Sequence, residues 1–98
     1  MVNVGLFVRL RAKKGKEAEL QELLKGGLRL VQEETRTPFW FALRIDATTF
    51  GIFDAFADEA GRQAHLAGRL AAALLQKADE LLSEPPTIER VDVLASKT

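Results

Sequence analysis

The chain has 98 residues, 47% hydrophobic and 29% charged, a composition typical of a single soluble globular domain. Fourteen basic and fourteen acidic side chains cancel, so no overall field draws the chain to nucleic acid or to an anionic membrane. Cysteine is absent, which excludes disulfides, thiol catalysis and thiolate metal sites, and the single histidine has no second one to share a metal ion. We recognise no signal peptide and no apolar run of spanning length, so we expect a cytoplasmic protein.

The N-terminal part is predicted to form a strand and then a helix. Apolar side chains at alternate positions predict the strand: Val2, Val4, Leu6, Val8 and Leu10. From Gly15 the apolar spacing becomes helical, and we expect this helix to end near Glu34, with Glu33 and Glu34 solvated. The pair Gly26-Gly27 predicts close packing or a kink, because each glycine costs about 1 kcal/mol relative to alanine in a helix interior.

Two aromatic-rich strands follow, at residues 39–45 and 50–56, with a turn predicted at Ala47-Thr48. This turn divides the side chains into two faces: Phe41, Leu43, Ile45, Phe50, Ile52, Asp54 and Phe56 on the first, and Trp40, Ala42, Arg44, Gly51, Phe53 and Ala55 on the second. Neither face has the character of a solvated surface, so the sheet needs a cover on both sides. The helices of one chain suffice for one cover. We therefore expect a second copy of the protein to cover the other face, as a homodimer through the sheet.

The C-terminal part is predicted as helix and then strand. Asp58 is a predicted N-cap, and Gly61 and Gly68 are expected to weaken the helix that follows and to divide the helical region into two short pieces, the stronger of which starts near Arg69. Pro85-Pro86 ends the second piece, and alternation over residues 87–95 predicts a last strand. The order strand, helix, strand, strand, helix, strand over residues 1–98 predicts one α+β, ferredoxin-like domain, with an antiparallel sheet and the helices on one face.

His65 and Asp54 are the candidate catalytic residues. Histidine suits acid–base chemistry at neutral pH, and His65 lies in a helix of small residues expected over the hairpin. Asp54 lies among apolar strand residues, so its carboxyl group needs a partner or becomes protonated; the partner is either His65 or an arginine, Arg90 or Arg9. Each residue also has a structural interpretation, His65 as a packed helix residue and Asp54 as half of a buried ion pair.

Aromatic side chains are the candidates for binding an apolar molecule. Phe41, Phe50 and Phe56 share the predicted face of Asp54 and would form an apolar wall. Trp40 lies on the other predicted face, where it stacks on a flat aromatic ligand or fills the core or the dimer interface, with the interface favoured because Phe53 shares that face. Phosphate-binding loops, nucleophile elbows and metalloprotease motifs are absent from the sequence, which implies no organic or metal cofactor.

Several short motifs resemble the antibiotic biosynthesis monooxygenase (ABM) domain family, with its small quinol monooxygenases, over nearly the whole chain. They are Lys14-Gly15-Lys16-Glu17, Gln32-Glu33-Glu34, the run from Phe50 to Ala60, Ala64-His65-Leu66-Ala67 and the helix–Pro–Pro–strand ending. The resemblance implies homodimers whose sheets pack face to face as an α+β barrel, with a cavity between sheet and helices. It also implies, for some members, oxidation of polycyclic phenols or quinols by molecular oxygen without a cofactor; other members degrade haem, isomerise small signalling molecules or have no known reaction.

The chain departs from the family pattern at two places. Gly68-Arg69-Leu70-Ala71 stands where many relatives carry a Ser-Pro-His-Phe-like segment, so a second histidine is missing. Val8 and apolar residues of the last helix stand where haem-degrading relatives carry an asparagine and a histidine, which disfavours haem degradation. Of the polar residues typical of the family, only His65 is present in this chain, so the resemblance implies His65 alone as a candidate site residue.

The sequence is compatible with three functions. The first is a cofactor-independent monooxygenase of a small phenol or quinol, in which His65 takes or orients the hydroxyl proton and Asp54 orients or balances the imidazole. The second is a non-catalytic dimeric module that binds a small hydrophobic or aromatic molecule, which the lack of a second polar catalytic group favours. The third is an isomerase of a small metabolite on the same fold.

Overall fold

A computed structural model describes residues 1–97 and places four strands and three helices in them. Their bounds are β1 Val4–Arg11, α1 Glu17–Gln32, β2 Phe39–Arg44, β3 Thr49–Phe56, α2 Glu59–Leu66, α3 Arg69–Leu81 and β4 Thr87–Asp92. The predicted order of elements is confirmed, and the second helical region is divided at Gly68 as expected. The last strand is shorter than predicted and ends at Asp92.

The strands of this part of the chain form one antiparallel sheet in the order β2-β3-β1-β4. Strand β3 therefore lies between β1 and β2, which is the split βαβ arrangement. The helices cover one face: α1 packs over β2 and against α3, and α2 packs over β1 and β3. The architecture is the predicted α+β, ferredoxin-like fold.

Local signals in the sequence start and stop the helices. The Asp58 side chain accepts a hydrogen bond of 2.9 Å from the backbone N–H of Gly61 and so caps α2. Gly15, with φ of 86°, turns the chain into α1 in a conformation that favours glycine. No helix within residues 1–97 has both the length and the apolar character needed to cross a membrane.

The pairing of the β2–β3 hairpin is one residue away from the predicted pairing, and that prediction is wrong. Trp40 lies opposite Asp54, and Phe41 lies opposite Phe53, whereas the predicted turn set Phe41 opposite Asp54. Because strand side chains alternate, a shift of one residue exchanges the two faces of β2. Phe41 therefore shares a face with Phe53 and not with Asp54, while Trp40 faces the helices.

Asp46 is the physical reason for this register. Its carboxylate accepts hydrogen bonds from the backbone N–H groups of Thr48 and Thr49, at 3.0 and 2.8 Å. Ile45 N–H also donates to the Thr49 carbonyl at 2.8 Å, which closes a three-residue loop in place of the predicted two-residue turn. The pKa of Asp46 lies below its usual value. The largest cause is the hydrogen bond from the Thr48 N–H, and the contacts from Thr49 contribute next.

The corrected register leaves a strongly apolar face on the side of the sheet without helices, which we call the outer face. Phe41, Leu43 and Ile45 are 50%, 39% and 43% exposed there. The ring of Phe41 stacks on that of Phe53, with 6.5 Å between centroids. The hairpin is thus apolar on both faces, and the outer face of β2 carries Phe41 and not Trp40, whereas β1 and β4 place the exposed Arg9 and Glu89 on the same outer face.

The core lies between the helices and the opposite, inner face of the sheet. Leu10, Phe50 and Ile52 from the sheet are buried against Leu20 and Leu24 from α1. Burial of such side chains is the main stabilising contribution to a domain of this size.

Gly27 allows α1 to approach its neighbours closely, as the paired glycines predicted. A Cβ atom built at Gly27 lies 2.8 Å from Leu70 Cδ1 and 3.6 Å from two ring atoms of Trp40. A Cβ atom built at Gly26 meets nothing within 4 Å. The two adjacent glycines therefore have different roles, and only Gly27 is required by packing.

We predict that Gly26→Ala raises the free energy of unfolding by about 1 kcal/mol, because alanine is the better helix former and no atom obstructs its methyl group. Gly27→Ala has the same helical advantage but displaces the buried Leu70, and overpacking of this kind costs about 1–3 kcal/mol. Its net effect is a loss of stability. Urea denaturation of both variants measures the difference, and equal stabilisation by the two alanines would contradict the close contact.

Candidate functional site

Three polar side chains from different parts of the chain meet between the sheet and the helices. His65 of α2 stands between Asp54 of β3 and Glu34, which follows the end of α1. Its Nε2 lies 2.9 Å from Asp54 Oδ2, and its Nδ1 lies 2.6 Å from Glu34 Oε1. The side chains of His65, Asp54 and Glu34 are 7%, 1% and 19% exposed. Of the partners considered for Asp54, the structure therefore provides His65.

Asp54 occupies the middle of the sheet because of its strand register. It lies between Leu6 of β1 and Trp40 of β2, on the inner face. His65 reaches it because α2 crosses β1 and β3, and the imidazole ring packs on Phe56 with 5.4 Å between ring centroids. The apolar contact with Phe56 and the polar contact with Asp54 together fix the orientation of the imidazole.

Glu34 was expected to be solvated beside Glu33, and that expectation is wrong. Glu34 accepts a hydrogen bond of 2.7 Å from Thr37 Oγ1 in addition to its contact with His65. Glu33 is exposed and pairs with Arg69 at 2.9 Å. No local pattern separates the two glutamates, since the packing of α2 against the end of α1 decides which of them is enclosed.

The charges of this cluster favour a protonated histidine. Burial alone would lower the pKa of His65, but the contacts with Asp54 and Glu34 outweigh burial and raise the pKa above its ordinary value of 6.5. Both ring nitrogens face carboxylates, and only the imidazolium form can donate from both. Two carboxylates around one imidazolium give the cluster a formal charge of −1.

Asp54 has acceptor capacity that the protein does not use. The Nε2–Oδ2 contact is short but is not aligned as a hydrogen bond, and within residues 1–97 neither carboxylate oxygen has a well-formed hydrogen bond. Oδ1 has no contact of this kind, and native proteins satisfy such buried acceptor atoms with water or a ligand. Glu34 Oε2 and Trp40 Nε1 also have no hydrogen-bond partner among the described residues, but of these three groups only Asp54 lines the neighbouring cavity.

A cavity of about 90 Å³ adjoins Asp54 and His65. Aliphatic side chains form most of its wall: Leu6, Val8 and Ile52 from the sheet, and Leu66, Leu70, Ala71 and Leu74 from the helices. Leu75 and Ile88 also line the cavity and are 64% and 50% exposed, so it opens to solvent between α3 and β4. The arrangement suits a small apolar molecule with one polar end.

The four aromatic candidates do not gather around this cavity. Phe41 lies on the outer face, so the predicted wall of Phe41, Phe50 and Phe56 is not formed. Phe56 packs on His65, and Phe50 belongs to the core and lies beneath the Arg44 guanidinium, 5.7 Å from it. Trp40 packs toward Gly27 on the helix side, which corrects its predicted place on the face left for a partner. Aliphatic residues, which the sequence did not single out, line the cavity instead.

Arg62 is a second buried charge that sequence reasoning missed. Its guanidinium donates to the carbonyls of Gly5 at 3.0 Å and Val91 at 3.3 Å, and it pairs with Glu59. The hydrogen bond from Arg62 lowers the pKa of Glu59 to about 2. These contacts tie α2 to β1 and β4, so Arg62 holds in place the helix that carries His65.

Comparison with known proteins identifies relatives among solved structures, whereas no family model and no curated protein matches the chain. The crystal structure of the NE2512 protein of unknown function from Nitrosomonas europaea is 56% identical, with a TM-score of 0.98, and covers 100% of this chain and 95% of that one. Rv0793 from Mycobacterium tuberculosis is 14% identical, with a TM-score of 0.85 and coverage of 98% and 99%. A protein named antibiotic biosynthesis monooxygenase is 13% identical, with a TM-score of 0.81 and coverage of 94% and 99%.

The fold and these comparisons define an ABM-type α+β domain, which confirms the predicted resemblance at the level of the fold. The chain belongs to the same family as the NE2512 protein of Nitrosomonas europaea.

Proposed function

We propose that the protein is a cofactor-independent monooxygenase of a small aromatic phenol or quinol, which binds in the cavity beside Asp54 and His65. The observation that carries this proposal is a buried carboxylate with unused acceptor capacity in the wall of an apolar cavity. A hydroxyl group on the substrate supplies the donor that Asp54 lacks, and the aliphatic wall holds the ring.

In this proposal Asp54 accepts the substrate proton, and His65 and Glu34 position and balance it. Both ring nitrogens of His65 already face carboxylates, so His65 has no free nitrogen for the substrate. The cluster carries one formal negative charge and becomes neutral when it takes one proton. Transfer of the hydroxyl proton to Asp54 moves the negative charge from the cluster to the bound phenolate, so the net charge of the occupied site is unchanged.

Removal of the proton leaves an electron-rich anion that can reduce molecular oxygen. For a phenol oxidised to a quinone, one oxygen atom enters the ring carbon in place of hydrogen, and the other leaves as water. The hydroxyl and ring hydrogens of the substrate supply the hydrogens of that water, so the reaction needs no further reductant. The apolar cavity shields the reactive anion from bulk water.

We predict that Asp54→Asn lowers the rate of oxygen uptake by about 100-fold or more, because loss of a positioned proton acceptor costs about 10²–10⁴ in rate. An oxygen electrode with a panel of hydroquinones and anthrones measures this rate. Asp79→Asn is the matched control, since Asp79 is exposed on α3, and it should keep the wild-type rate.

Circular dichroism verifies that each variant is folded before its rate is compared. His65→Ala should also reduce uptake, because Asp54 loses the group that positions it. Full activity in both folded variants, or no uptake by the wild type with any compound of the panel, would contradict the proposed function.

The size of the cavity favours a second candidate, a non-catalytic module that binds a small hydrophobic molecule. About 90 Å³ is less than the roughly 300–1,000 Å³ of ordinary ligand sites. In this alternative the cluster of Glu34, His65 and Asp54 only stabilises the domain. The absence of oxygen uptake together with retained ligand binding would favour this alternative.

We also propose that the protein is a homodimer whose subunits pack through the outer faces of their sheets. The support is the apolar surface formed by Phe41, Leu43 and Ile45, each more than a third exposed. A sheet that is apolar on both sides needs a cover on both, and helices cover only the inner face of this one.

We predict that Phe41→Glu converts the dimer to a monomer, because it places a charge in the centre of the proposed interface. Analytical ultracentrifugation at micromolar concentration measures the mass. The matched control is Leu75→Glu, which places the same charge on an exposed leucine of the helical side and should leave the dimer intact. A monomeric wild-type protein would contradict the proposal.

A further inference from the structure

We infer that the cavity selects an uncharged compound with one ring and a hydroxyl donor, and that it rejects anionic and polycyclic molecules. This inference rests on the proposed function for the location of the site, but it concerns binding and not turnover. Three independent features of the cavity support it: a missing hydrogen-bond donor, a negative charge without a free cation nearby, and a small volume.

The missing donor sets the first requirement on the ligand. Asp54 is 1% exposed and lines the cavity, and in the part of the chain that the structure describes neither of its oxygens has a well-formed hydrogen bond. A ligand O–H group supplies a donor to Asp54 Oδ1, whereas the corresponding methyl ether leaves Oδ1 without one; Oδ2 already lies 2.9 Å from His65 Nε2. Unpaired buried acceptors are the basis of strong discrimination between such analogues.

Charge sets the second requirement. The cluster of Glu34, His65 and Asp54 carries a formal charge of −1, and the other described residues that line the cavity are apolar. The nearby basic residues are engaged elsewhere: Arg62 binds the carbonyls of Gly5 and Val91, and Arg90 pairs with Glu59. A carboxylate or phosphate on the ligand would therefore enter a negatively charged site with no cation to balance it.

Volume sets the third requirement. The cavity measures about 90 Å³, and an engineered apolar cavity of about 150 Å³ in another protein is large enough for benzene. The enclosed part is smaller than that cavity, so a single ring enters only with movement of the aliphatic wall and a second ring is excluded. A short substituent can extend between Leu75 and Ile88, where the cavity opens.

Anaerobic titration calorimetry with the whole protein tests this inference without interference from oxidation. The probes are 4-methylphenol, its methyl ether 4-methylanisole, the anion 4-methylbenzoate and the two-ring 2-naphthol. We expect 4-methylphenol to bind and 4-methylanisole and 4-methylbenzoate to bind at least about tenfold more weakly, the change that one charged hydrogen bond or one unbalanced charge produces. 2-Naphthol should also bind at least about tenfold more weakly, because its second ring exceeds the volume of the cavity.

Asp54→Asn and Asp79→Asn are the matched variants for the same titrations. Asp54→Asn removes the negative charge while keeping the shape, so 4-methylbenzoate should gain at least about tenfold relative to 4-methylphenol. Asp79→Asn removes an equal charge from the exposed side of α3 and should leave the wild-type order of affinities.

The outcomes separate this inference from the proposed function. Selective binding of 4-methylphenol without oxygen uptake supports the inference and contradicts the oxygenase. Oxygen uptake with anthrones, together with binding of 2-naphthol that equals or exceeds that of 4-methylphenol, contradicts the inference but supports the proposed oxygenase function. Equal binding of the phenol and its ether, or no binding of the phenol, overturns the inference.

Discussion

The contact of one histidine with two carboxylates joins the parts of this domain that define its cavity. Glu34 follows α1, His65 lies on α2 and Asp54 lies in the middle of β3, so the cluster fastens two helices to the centre of the sheet. Each partner compensates for the burial of the others, and removal of one member of such a group typically costs about 3–5 kcal/mol. Because the pKa of His65 is raised, the stabilisation is complete below the unfolded-state value of about 6.5 and is lost as the pH rises through the folded-state pKa.

The same cluster explains how the site can combine binding with proton transfer. In the proposed reaction its net negative charge makes it the proton acceptor, and this charge passes to the bound phenolate as the proton is taken up. The proposed roles differ from those expected from the sequence: both ring nitrogens of His65 face carboxylates, so Asp54 is proposed as the proton acceptor. Aromatic residues contribute to the core and to the outer face, and the ring of a ligand would meet leucine, isoleucine and valine side chains.

Much of the fold follows from local patterns, whereas the details of the site depend on contacts between distant residues. Alternation predicted the strands, and Asp58 and Gly68 marked the helix boundaries, because these signals act within a few residues. The hairpin register was missed because the Asp46 side chain, through two hydrogen bonds to the backbone, favours a longer loop than the one assumed. That one-residue difference moved Phe41 and Trp40 to opposite faces. Glu34 was missed because 31 positions separate it from His65 along the chain.

The protonation state of His65 tests the central claim most directly, and the chain has only this histidine, so its signals need no further assignment. The measurement is an NMR titration of the imidazole nitrogens in ¹⁵N-labelled protein, repeated with Glu34→Gln and Asp54→Asn. We predict a midpoint above 6.5 in the wild type, with both ring nitrogens protonated below that midpoint, and a lower midpoint in each variant. A midpoint at or below 6.5, or a midpoint that neither substitution changes, would contradict the account.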